Sequence, residues 1–176
     1  MMNEVLKAME TRRSVRKFSA EMPQKEQIDT VIKAGLQAAS GKNEQAAIVI
    51  AVTNPELREK LRADNAAIGG WDKAFDPFYG APVVLIVLGR KDFPTHVYDG
   101  ALMLGNMMLA AHSLDLASIW IHRAKEEFES ENYKQLLKDL GVEGEWEGVG
   151  HLALGFAAEG LPQAHPIKPN RVFYVE

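Results

Sequence analysis

Arg12-Arg13-Ser14-Val15-Arg16-Lys17-Phe18 is the stretch on which the reading of this chain turns. It gathers four cations in seven residues of a chain whose 20 Lys+Arg are outnumbered by 24 Asp+Glu, for a formal net charge of -4. Near the other end stands Lys168-Pro169-Asn170-Arg171. Guanidinium groups concentrated against the overall balance suit a phosphate-bearing ligand, because arginine presents a planar fork of donors that meets phosphate oxygens two at a time. A solvated helix end is the other reading of any one of these arginines. A third polar cluster, Ser40-Gly41-Lys42-Asn43-Glu44-Gln45, lifts the set above that alternative.

The segments around these clusters alternate in period. Residues 3–12 read as a short helix with Val5, Leu6 and Met9 on one side, and residues 24–39 as an amphipathic helix striped by Ile28, Val31, Ile32, Gly35 and Leu36. The apolar run 46–52 predicts a strand buried on both faces, and 82–88 a second. Asn54-Pro55 is a cap followed by a first-turn proline and opens a helix running to Arg62. Asp99 caps a helix running to about Leu114, residues 117–121 and 149–156 give two further strands, and 172–175 a short fifth. Ser130 opens a helix that Gly141 ends. Strands interleaved with helices indicate a layered α/β or α+β domain, with all 176 residues in one unit. The helix after Asp99 carries Leu102, Met103, Leu104, Met107, Met108 and Leu109 and so has almost no polar face. Such a helix must be covered all round, and a two-fold dimer interface does this more easily than the centre of a small domain.

Composition narrows the chemistry. There is no cysteine, hence no disulfide, thiolate metal site or cysteine nucleophile; this is compatible with a reducing cytoplasm, the expected location. The N-terminus mixes acid and base without an apolar core, unlike a signal peptide, and the apolar stretch 101–111 is too short to span a bilayer. A net negative chain lacks the broad basic face of a nucleic-acid binder. No P-loop or G-x-G-x-x-G is present, the five histidines never fall three or four apart, and Ser113 and Ser118 lack elbow glycines. Trp71, Phe75, Phe78 and Tyr79 are either core aromatics or a stacking cover over a ligand.

Taken in order, these pieces resemble the nitroreductase family of FMN-dependent oxidoreductases. The likeness runs from Arg12–Phe18 through Ala38-Ala39-Ser40-Gly41-Lys42-Asn43-Glu44-Gln45, Gly80-Ala81-Pro82-Val83-Val84, Asn106–Ala111, Ser118-Ile119-Trp120-Ile121 and Leu154-Gly155-Phe156 to Lys168-Pro169-Asn170-Arg171. The resemblance implies an α+β fold, with a mostly antiparallel central sheet flanked by helices, in an intertwined homodimer. It implies FMN at the subunit interface, NADH or NADPH as co-substrate, and a small acceptor such as a nitroaromatic, a quinone or free flavin, reached by a ping-pong mechanism. By position, Arg12, Arg13 and Ser14 look like contacts to the FMN phosphate and ribityl chain, joined by Arg171 and Lys168. Arg16 resembles the cation beside the N1/O2 edge of the flavin, which tunes its charge. Ser40, Asn43 and Gln45 match the loop that reaches the partner subunit's flavin, and His122 and Arg123 fall where backbone N–H groups meet flavin N5 and O4. The flavin carries the chemistry, and no side chain or metal is implied as catalyst. The loop departs from the family pattern at Ala39 and at Ala46-Ala47, where proline and a large residue are usual. Rival expectations are a relative with other flavin chemistry, such as dehalogenation or flavin breakdown, and a non-catalytic FMN carrier.

Overall fold

Strand β2, Val83–Arg90, is the spine of the molecule. Its sequence runs from valine to leucine without a polar break, and Val83 to Leu88 are closed to solvent. A run of this kind belongs in the middle of a sheet covered on both faces. The computed structural model describes residues 2–176 and places it there. With β1 (Ala47–Val52), β3 (Ala117–Ile121) and β4 (Trp146–Gly155) it makes a four-stranded sheet in the order β1-β2-β4-β3, every neighbouring pair antiparallel. Val49 stands opposite Val87 and Leu85 opposite Leu152, and a register shift interrupts β2 and β4 between Val87 and Leu88.

Alternation along the strands divides the core into two layers. On one face α2 (Lys25–Leu36) and α4 (His96–Ser113) set Ile28, Val31, Met103, Leu104 and Met107 against Leu85, Val87, Leu152 and Leu154. On the other, α3 (Pro55–Ile68), α5 (Ala124–Phe128) and α6 (Glu131–Asp139) set Leu61, Phe128, Tyr133 and Leu137 against Val84, Ile86 and Ile119. The Tyr133 hydroxyl donates to Asp64 at 2.8 Å; burial first, and that bond second, push the phenol pKa upward. Helix α1 (Glu4–Thr11) starts where Asn3 Oδ1 accepts from the Leu6 N–H at 2.9 Å, and it buries none of its own residues. Val5, Leu6 and Met9 stay exposed along it.

Several expectations are corrected. Helix α3 runs past Arg62 to Ile68 because Leu61, Asn65 and Ala66 continue its buried stripe beneath a polar exterior. Helix α4 starts at His96, with Asp99 buried in its first turn rather than capping it. Strand β1 is an edge strand with only its ends buried, so its apolar run does not mark a strand covered on both faces. Helix α5 is too short for its period to show in the sequence. Residues 172–175 form no strand: the whole segment 158–176 is exposed, and Phe173 and Tyr174 touch solvent over more than four-fifths of their surface. A strand needs an edge to pair with, and this segment meets none within its own chain. Helix α4 is also covered on one side only, with Leu102 half-exposed on the other.

Candidate functional site

The backbone leaving α1 is extended and tightly pinned. Val15 N–H donates to Ser118 O at 3.2 Å, Phe18 N–H to Tyr79 O at 3.1 Å, and Ser19 N–H to Phe156 O at 2.9 Å, while Ala158 N–H returns to Lys17 O at 3.0 Å. Val15 and Phe18 sink into the core and thereby fix the segment beside β3, where Ser14 bridges to Ser118, and just past the end of β4, where Phe18 bridges to Ala157. The two adjacent arginines then differ. Arg13 Nη1 donates to Glu10 O and Arg12 O, each at 2.7 Å, closing the carbonyl end of α1. Arg12 Nη1 is buried and has no hydrogen-bond partner among the described residues. A buried guanidinium nitrogen without an acceptor is costly, which makes Arg12 a candidate anion contact. Ser14 is half-buried beside Ser118, and Arg16 is exposed.

The Ser40 loop lies elsewhere. Gly41 N–H donates to Asp99 Oδ1 at 3.1 Å and Thr95 Oγ1 to Asp99 Oδ2 at 3.1 Å, so the loop is moored to the start of α4. Gln45 N–H donates to Ser40 Oγ at 3.1 Å, and Gln45 Nε2 faces Asn43 Oδ1 at 3.4 Å. Lys42, Asn43 and Gln45 all take positive φ, of 51°, 58° and 50°. A cavity of about 160 Å³ lies behind the loop, between Ala38, Ser40, Gln45 and Met103. The arginine segment is moored to the opposite end of α4, where Thr11 Oγ1 meets His112 Nε2 at 2.8 Å. Asp99 and His112 are about 20 Å apart at 1.5 Å per residue, so one protomer does not bring the two clusters onto one small ligand. Lys168 and Arg171 sit on the exposed tail and form no hydrogen bond or ion pair among the described residues.

After β3 the chain turns sharply at His122 and Arg123. His122 is exposed, its carbonyl accepting from Asn65 Nδ2 at 3.1 Å. Arg123 has φ 79°, donates from Nε to Asn65 Oδ1 at 3.1 Å, and lies under the Trp71 ring at 4.2 Å. The segment carrying Trp71 is clamped from α3. Arg62 Nη1 donates to Lys73 O and Phe75 O at 2.7 and 3.0 Å, and Arg58 pairs with Asp76 at 2.5 Å. The same Arg62 hydrogen-bonds Glu59 and holds its carboxyl below the usual range. Phe78 is a core aromatic, whereas Trp71 and Phe75 meet edge-to-face and keep over a third of their surface in solvent. The sequence reading missed Asn65, whose partners lie far along the chain, and Asp99 as the mooring of the loop.

An apolar groove of about 310 Å³ runs between α1, α2 and α4, lined by Val5, Ala8, Ala34, Leu109 and Ala110. Of its polar lining, Asn106 and Ser113 donate to the Ala34 and Ala110 carbonyls and Glu4 stands at its edge, and the groove continues the uncovered side of α4, as a packing face does.

Comparison with known proteins supplies the context for this arrangement. A nitroreductase from Bacteroides fragilis, solved with bound FMN, superposes with a TM-score of 0.88 at 29% identity, covering 99% of this chain and 100% of that one. A nitroreductase from Desulfitobacterium hafniense with bound FMN gives 0.88 at 31%, each chain covered in full. The FMN reductase [NAD(P)H] of Bacillus subtilis is 38% identical over 134 residues, 67% of this chain and 53% of that protein, so the chain spans about half the length of that relative. The model of the nitroreductase family matches residues 9–156, most of the chain, and the chain belongs to that family.

Proposed function

We propose that this protein is an FMN-dependent oxidoreductase, active as a homodimer, that draws reducing equivalents from NADH or NADPH and passes them to a small acceptor in ping-pong order. Nitroaromatics, quinones and free flavin are the acceptor classes that suit a shallow site beside Trp71 and Phe75. The observation that carries the reading is the buried, unpartnered Nη1 of Arg12, set in a segment whose backbone is otherwise fixed by hydrogen bonds. A dianionic phosphate would satisfy it with a charge-assisted bond. The residues present therefore fit the cofactor.

When bound, FMN supplies the two-electron chemistry by accepting hydride from the nicotinamide and giving it up to the acceptor. The chain's own groups bind and orient. Arg12 and Ser14 hold the phosphate end, helped by Lys168 and Arg171 from the tail, while Arg13 stiffens the segment from behind. Arg16 places a positive charge that favours the reduced, anionic cofactor. His122 and Arg123 offer main-chain N–H groups to the ring edge. Ser40, Asn43 and Gln45 act across the interface. Their separation from Arg12 along α4 favours a dimer, because an antiparallel pairing of two α4 helices sets the start of one beside the end of the other.

A visible spectrum of freshly purified protein tests this directly. Flavin absorbance that NADH or NADPH bleaches without oxygen, and that a quinone or nitroaromatic restores, is the expected result. A colourless protein that takes up no added FMN overturns the reading, and a yellow protein that neither nucleotide bleaches leaves only a carrier.

A further inference from the structure

Beneath the turn at His122 and Arg123 lies a set of fully enclosed polar groups that the cofactor contacts do not use. Asn65, Glu127 and His151 have relative exposures of 0%, 1% and 0% and come from α3, α5 and β4. His151 Nε2 meets Glu127 Oε2 at 2.7 Å, and His151 Nδ1 faces the Ile121 carbonyl at 3.3 Å. Glu127 Oε1 accepts from Asn65 Nδ2 at 2.7 Å, and Asn65 then reaches out to both turn residues. The Phe78 ring closes the inner side, edge-on to His151 at 5.4 Å between centroids. Every polar atom of the set is used, and each end of the chain of bonds stops on the backbone or side chain of residues 121–123.

Burying a carboxyl and an imidazole is expensive, and an apolar core of the same shape would be at least as stable. Stability alone gives no reason for them. What they do hold is the left-handed backbone of Arg123, a conformation that a non-glycine residue keeps only where its surroundings impose it. The N–H groups of His122 and Arg123 have no acceptor among the described residues, so the turn is fixed while its donors stay free.

We propose that Asn65, Glu127 and His151 are positioning residues that aim the His122–Arg123 main-chain donors at the cofactor; this rests on the flavin reading above. Because the network is anchored in β4 and α5, it holds the turn rigid whether or not a ligand is present.

The test compares Asn65→Leu and Glu127→Leu with Glu127→Gln, each loaded with saturating FMN. A glutamine amide can accept from Asn65 and donate to His151, so it preserves the network that leucine breaks. The leucine variants should slow anaerobic bleaching by NADH about 10- to 100-fold, and they should shift the flavin absorption band. The FMN Kd should move less than about threefold, because the phosphate contacts are untouched, and Glu127→Gln should bleach at a rate within about threefold of the parent. Adding Arg123→Gly to Asn65→Leu should recover most of the rate, since glycine takes positive φ unaided. Should the leucine variants not fold, Asn65→Ser, too short to reach both turn residues, is expected to slow bleaching about tenfold. Variants that bind FMN with unchanged spectrum and rate overturn the proposal while leaving the flavin reading intact. An equal loss in Glu127→Gln and Glu127→Leu, or no recovery with glycine, also overturns it. If the parent protein binds no FMN, the flavin reading itself fails.

Discussion

Arg12 and Arg13 are neighbours in sequence with opposite occupations: the Arg13 guanidinium is spent on the carbonyl end of α1, and half-buried Arg12 has a buried nitrogen to spare. Arg12→Ala should therefore weaken FMN binding by about 1.5–3 kcal/mol, read as a rise in Kd by fluorescence titration. Arg13→Ala should instead cost about 1 kcal/mol of folding stability, read by denaturant unfolding of the FMN-free protein, with a smaller change in affinity. Arg16 makes no hydrogen bond or ion pair among the described residues and stays exposed, which suits a cation whose influence is electrostatic. Arg16→Gln should lower the flavin midpoint potential in a potentiometric titration more than it lowers affinity. The arginines were legible in the sequence as a cluster, since their charge runs against the composition. Which of them caps a helix was not, because that depends on where the Glu10 and Arg12 carbonyls point. Asn65 was hidden for the same reason: its partners lie 57 and 62 positions away.

Among the elements, β2 and β3 were the most readable, because an apolar run bounded by polar residues admits few other fates. The short α5 was not readable, yet it is fitted closely. A Cβ on Gly148 would fall 2.1 Å from the Ala124 carbonyl carbon and oxygen, so β4 and α5 meet backbone to backbone. Gly148→Ala should cost about 3 kcal/mol, seen as a drop in Tm, and should disturb the turn at Arg123 that α5 follows. Helix α4 was legible as apolar all round, but its sequence could not say which face meets the sheet. Met103, Leu104 and Met107 take the inner face, and Leu102 is left outside. Leu102→Glu should alter the stability of a single folded chain by no more than about 0.5 kcal/mol. In the dimer reading it should separate the protomers on a sizing column and release the flavin with them.

At the scale of the whole molecule, the alternation of apolar runs and periodic segments made a layered domain of strands and helices legible, the antiparallel order of its sheet came from the family resemblance, and the largest departure is the tail. The sequence of residues 172–175 has the β-branched and aromatic character of a strand but no neighbour in its own chain. The donor groups proposed for the cofactor are likewise scattered over four places: the segment beside β3, the turn at His122 and Arg123, the loop at the far end of α4, and the tail. A site divided in this way depends on association. In the proposed dimer, diluting the holoprotein below its self-association constant should shed the coenzyme into solution, and excess coenzyme should push monomers back together by mass action. In that dimer the exposed tail would make cofactor loading a reporter of how much of the protein is present.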